Sequence, residues 1–125
     1  MYLGKFGITK KTLSMTSFKQ KDVVLADILF ADGTKSKKRP ALIISNDKYH
    51  LSRKEILVCA ITSNTERTLF GDTKIKSWKE AGLKYPSSVL AVIQTIQVPT
   101  ISHKLGELSE GDFKIVLSNF GKTME

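Results

Sequence analysis

Residues 35–47 read KSKKRPALIISND: Lys35, Lys37, Lys38 and Arg39 crowd against Pro40, and an apolar run follows until Asn46 and Asp47. The apolar run is short and rich in β-branched residues, which predicts a buried strand over PALIISN (40–46). Pro40 restricts the residue before it to extended backbone, so Arg39 is expected at the edge of a loop with its guanidinium held in place.

Working outward, DVVLADILF (22–30), EILVCAIT (55–62) and SSVLAVIQTIQV (87–98) have the same short, β-branched character. ADGTKSKKR (31–39) and NTERTLFGD (64–72) separate them as polar, glycine-containing loops. Two helices are expected. SWKEAG (77–82) offers about one turn ended by Gly82. LSEGDFKIVLSNFG (108–121) has Ser109 as N-cap, Asp112 as capping-box partner and Gly121 as stop. In the latter, Phe113, Val116, Leu117 and Phe120 recur at helical spacing and predict a face packed on a sheet. The fold class is therefore mainly β with some α: a small, strongly bent or barrel-like β domain with a short internal helix and a closing C-terminal helix.

The chain has 125 residues, a size that suits one domain, and carries a formal net charge of +8. Residues 1–21 contribute Lys5, Lys10, Lys11, Lys19 and Lys21 with no acid. Residues 1–17 are expected to be a flexible basic extension, with Met15 as an alternative start, ahead of a domain spanning 18–125. The charge favours an anionic partner. The single cysteine, Cys59, lies in an apolar run; it excludes an intrachain disulfide and fits a reducing cytoplasm. No membrane-spanning run and no secretory signal is recognisable.

No phosphate-binding glycine motif, paired metal-spaced histidines or magnesium-binding carboxylate cluster occurs, so no metal or cofactor is expected. His50 and His103 read as ordinary surface or turn histidines. What remains is a polar constellation at strand ends: Arg39 entering one strand, and Thr62, Ser63 and Asn64 leaving another. A guanidinium and a hydroxyl suit a phosphodiester, the first as a charged fork and the second as a neutral donor. RNA brings its own nucleophile, the 2′-hydroxyl, so such donors could promote cleavage without a metal. An exposed arginine and an ordinary strand-end threonine have the same spacing.

Taken together, DVVLADILFADGTKSKKRPALIISND, AITSN, GDTKIKSWKEAGLKYPSSV, IQTI and KLGELSEGDF, in that order, resemble the MazF/PemK-type toxins of bacterial toxin–antitoxin systems over roughly residues 18–121. The resemblance implies an SH3-like β-barrel, usually a homodimer. It also implies a sequence-specific, metal-independent endoribonuclease that cuts single-stranded RNA to 2′,3′-cyclic phosphate and 5′-hydroxyl ends and is neutralised by an acidic antitoxin. The arginine of the family's R-P motif and the threonine of its I-T-S motif correspond to Arg39 and Thr62. Lys37, Lys38, Ser63, Asn64, Arg67, Gln94 and Thr95 are the accompanying RNA-binding candidates. Phe70 is a stacking platform or a lid residue, and Trp78 a packing anchor. The sequence departs from the family pattern at Gly33, Thr34 and Lys35, where several members carry a carboxylate, which leaves the proton acceptor unassigned. It departs again at Leu90 and Ala91, where many are polar. The alternatives are a non-enzymatic gyrase poison resembling the CcdB toxins and a catalytically idle RNA-binding relative.

Overall fold

The computed structural model describes residues 17–29 and 36–125, so Lys35, the loop before it and nearly all of the expected extension lie outside the described residues. The elements are β1 (Asp22–Leu29), β2 (Ser36–Ile43), α1 (Asp47–Arg53), β3 (Ile56–Thr62), β4 (Thr73–Lys74), β5 (Ser88–Ile96), a single 3-10 turn (Val98–Thr100), β6 (Ile101–Glu107) and α2 (Glu110–Thr123). The strands form one antiparallel six-stranded sheet in the order β4-β5-β3-β2-β1-β6.

Alternation along the strands supplies both faces of this sheet with apolar side chains. Val23, Leu42, Cys59, Ile61 and Val89 meet Phe113, Val116 and Phe120 of α2 on one face. Val24, Ala26, Ala41, Ile43, Val58, Ala60, Ile96 and Ile101 form a second cluster built from strands. Curvature encloses it. Four inter-strand steps from β5 to β6 would measure about 19 Å in a flat sheet. The five residues from Ile96 to Ile101 reach at most about 17 Å fully extended, and the intervening 3-10 turn shortens that reach. Register shifts between Cys59 and Ile61 in the β3–β5 ladder, and at two points in the β1–β6 ladder, supply the bend. Gln94 of β5 spans the resulting concavity: its amide accepts from Leu29 N–H and donates to Leu29 C=O, both at 3.2 Å.

The mainly β, α+β class expected from the sequence is observed. Among the described residues the barrel does not close, because β4 and β6 are the two edges of the sheet.

The short helix is not where the sequence suggested. Residues 77–82 form turns, with one helical bond from Ala81 N–H to Ser77 C=O before Gly82 adopts φ +84°. The internal helix is α1 instead, started by Asn46, whose side chain accepts from Tyr49 N–H, and ended by Lys54 in the left-handed region. It buries His50, which is not a surface residue: its Nε2 meets Ser45 Oγ at 2.6 Å.

In α2, Ser109 caps as expected by accepting from Asp112 N–H, but the Asp112 carboxylate does not complete a reciprocal box. It is buried, and it accepts from the backbone N–H groups of Lys76 and Ser77 at 3.1 and 2.9 Å. The helix runs past Gly121 to Thr123, and Leu117 faces solvent while Phe113, Val116 and Phe120 are buried. No described helix is long and apolar enough to cross a membrane.

Candidate functional site

Pairing between β2 and β3 is confined to Ala41↔Ala60, Leu42↔Cys59 and Ile43↔Val58. Pro40 has no N–H to give, and the two strands part there. The same register carried two steps further would set Arg39 opposite Thr62, so the gap opens between the two residues singled out by the sequence. β2 continues on its other side, where Arg39, Lys38 and Lys37 pair with Ala26, Asp27 and Ile28 of β1. The cations 37–39 therefore belong to a strand and not to the loop expected over 31–39, and Arg39 stands inside that strand instead of at a loop edge.

A cavity of about 660 Å³ lies at this parting and brings Lys37, Lys38, Arg39, Thr62 and Ser63 together. Lys38 is tied to Asp27 across the β1–β2 pair at 3.6 Å, a pair exposed enough to yield to an incoming anion. Arg39 and Thr62 are half-buried. Thr62 Oγ1 accepts the backbone N–H of Asn64 at 3.1 Å. This bond orients the oxygen and leaves the hydroxyl proton to be donated elsewhere. Asn64 thus contributes through its main chain.

Arg67, Gln94 and Thr95 are not among the residues lining the cavity. Arg67 is exposed between β3 and β4, and Gln94 is engaged with Leu29. Phe70, 77% exposed, is also outside the lining. Trp78 packs against the core beside α2, as expected of an anchor.

The rest of the lining was not foreseen from the sequence: Gly82, Leu83, Lys84, Tyr85 and Ser87, together with His103 and Leu105 of β6. His103 faces Leu25 in the β1–β6 register, and Leu25 faces Pro40 in turn, so three strands present one row to the cavity. The segment before β5 is fixed at several points: Asp112 holds its start, and Gly82 packs so closely on β6 that a Cβ would fall 2.1 Å from Leu105 O. Ser87 Oγ donates to Tyr85 C=O at 2.7 Å. Tyr85 followed by Pro86 was an available signal, an aromatic residue on a stiff turn. His103 carried none, because only the strand order brings it near Arg39. Cys59, buried in the core with its thiol pushed up to about 12 by desolvation, has no part in the site. No group of three or more potential metal-ligating side chains forms among the described residues.

The sequence matches the family described as PemK-like, MazF-like toxin of type II toxin-antitoxin system over residues 19–124. The chain belongs to the PemK/MazF toxin family. Solved structures share its fold. Mycobacterium tuberculosis toxin MazF-mt6 is 24% identical, with a TM-score of 0.66 over 82% of this chain and 95% of that one. MazF from Deinococcus radiodurans is 18% identical, with a TM-score of 0.69 over 86% and 96%. An endoribonuclease from a mycobacterial species, solved in complex with its cognate antitoxin, is 15% identical, with a TM-score of 0.68 over 86% and 95%. No curated protein matches the chain at a significant level.

Proposed function

We propose that this protein is a toxin endoribonuclease that cuts single-stranded RNA in the cytoplasm at short specific sequences, without a metal ion. The observation that carries the reading is the convergence of Arg39 and Thr62 on one cavity in a member of the PemK/MazF family.

In the proposed reaction the 2′-oxygen forms a bond to the adjacent phosphorus and loses its proton, while the bond to the 5′-oxygen breaks and that oxygen takes up a proton. The products are a 2′,3′-cyclic phosphate and a 5′-hydroxyl. Arg39 neutralises the charge that builds on the phosphorane and lies beside the departing oxygen. It is too basic to accept the first proton. Thr62, its oxygen already held by Asn64 N–H, donates to a non-bridging oxygen. Lys37, Lys38 and Ser63 hold the flanking backbone from the same cavity, with Arg67, Gln94 and Thr95 as outlying contacts.

Among proteins of the same fold, MazF of Deinococcus radiodurans is solved with MazE, and the mycobacterial endoribonuclease with its antitoxin. A net charge of +8 suits such a partner in acidic form, covering the cationic cavity of a homodimeric toxin.

Purified protein incubated with a long single-stranded RNA in EDTA should produce discrete new 5′-hydroxyl ends. Losing one preorganised donor costs on the order of 3 kcal/mol, so Arg39→Ala should slow cleavage about a hundredfold or more. Intact RNA with wild-type protein, or a variant within about twofold of wild type, contradicts the reading.

A further inference from the structure

The cavity beside Arg39 and Thr62 is unlike a simple phosphate groove. Besides its cations it is lined by Leu25, Leu83 and Leu105, and its large rings are Tyr85 and His103. Charge alone would need none of these. A nucleotide would use both halves, since its phosphate seeks cations and its base offers an apolar π-face.

We propose that Tyr85 is the stacking platform for one nucleobase next to the scissile phosphate, with the His103 ring bounding the far side of the same subsite. This rests on the endoribonuclease reading above.

Three observations carry it. Tyr85 is 65% exposed although it lies in a segment pinned at Asp112, Gly82 and Ser87, so its ring is presented on a fixed backbone instead of a loose loop. Pre-set aromatic surface binds at low entropic cost. His103 lies two strands from Pro40 along one row, about 10 Å away. That separation leaves room for a base between the scissile phosphate and the β6 edge. The cavity's lining includes the aliphatic Leu25, Leu83 and Leu105, and Ser87 Oγ already donates its proton to Tyr85 C=O. The apolar lining and the Tyr85 ring suit the face of a base, and Lys84 beside Tyr85 is placed to meet the next phosphate.

The test uses a fluorescein-labelled, 2′-O-methylated single-stranded RNA copied from a segment that the wild-type protein cleaves, so that binding is read by anisotropy without turnover. Base–aromatic stacking predicts that Tyr85→Ala weakens binding about tenfold, while Tyr85→Phe, which keeps the ring, stays within about twofold of wild type. His103→Ala should weaken binding severalfold. In a series of the same oligonucleotide carrying one abasic residue at successive positions, one position should weaken wild-type binding and leave the affinity of Tyr85→Ala unchanged. A structural role for Tyr85 would not single out one base.

Tyr85→Ala binding within about twofold of wild type, or Tyr85→Phe losing as much as Tyr85→Ala, overturns the stacking platform while leaving the nuclease intact. Unchanged binding in His103→Ala removes that residue from the subsite. A wild-type protein that cleaves no RNA fails the endoribonuclease reading, and the subsite with it.

Discussion

His50 shows how a single residue can tie stability to pH far from the candidate site. Ser45 Oγ accepts the Leu57 N–H at 3.0 Å and shares a second hydrogen bond of 2.6 Å with His50 Nε2, its direction set by the ring's tautomer. His50 is fully buried and its Nδ1 has no hydrogen-bond partner among the described residues. Burial holds its pKa below the ordinary 6.5, and the opposing influences of Asp47 and the Ser45 backbone do not offset it. With the folded pKa depressed, the unfolded chain takes up the proton first as pH falls. The contribution is intact above the unfolded pKa and is lost as pH drops towards the folded value. Urea unfolding from about pH 7.5 down to 5.5 should show a steeper loss of stability in wild type than in His50→Leu. Parallel curves for the two proteins would contradict this account of the ring.

At the scale of elements, glycines with similar sequence surroundings have opposite prospects. Gly82 has φ +84° and lies against the Leu105 and Gly106 backbone, whereas Gly121 sits in α2 with nothing within 4 Å of where a Cβ would point. Gly82→Ala should lose roughly 2 kcal/mol or more through left-handed strain and the backbone collision, and should slow cleavage by shifting the Tyr85 wall. Gly121→Ala should gain up to about 1 kcal/mol and leave cleavage unchanged. Thermal unfolding midpoints check both, and a stabilised Gly82→Ala would refute the proposed packing of this segment on β6.

The same scale shows what could be read from the chain. Strands β1, β2, β3 and β5 were legible because their apolar runs are short and bounded by polar turns, and α2 because Ser109 and the Phe113–Val116–Phe120 spacing mark it. The short helix α1 was not legible although Asn46 is a good cap, because the apolar run 40–46 reads as strand up to that cap, whereas β2 ends at Ile43. At SWKEAG, Gly82 turns the chain before a second helical turn can form. In the site, Arg39 and Thr62 were visible as motif residues. Tyr85 and His103 become neighbours of that motif only through a curled sheet, a long-range property that local patterns do not carry.

For the whole molecule, the curl of the sheet and the parting of β2 from β3 create one cationic cavity with an aromatic wall, on a chain whose net charge is +8. Lys37, Lys38, Arg39 and Lys84 are its bases. If all of them meet phosphates, log affinity for single-stranded RNA should fall with log salt at a slope near −3, and removing Lys37 should make the slope shallower by about 0.7. Titrations of the uncleavable RNA at several salt concentrations measure this. A slope near zero would mean that the cavity does not bind the RNA backbone.

The central claim is that Arg39 and Thr62 act on the same phosphate across that gap. Single-turnover cleavage by wild type, Arg39→Ala, Thr62→Ala and the double variant tests it most directly. Groups that share one transition state lose their effect together, so the double variant should be little slower than the slower single variant. Two large losses that simply multiply, or a Thr62→Ala protein as fast as wild type, would show that the two residues do not share a reacting centre.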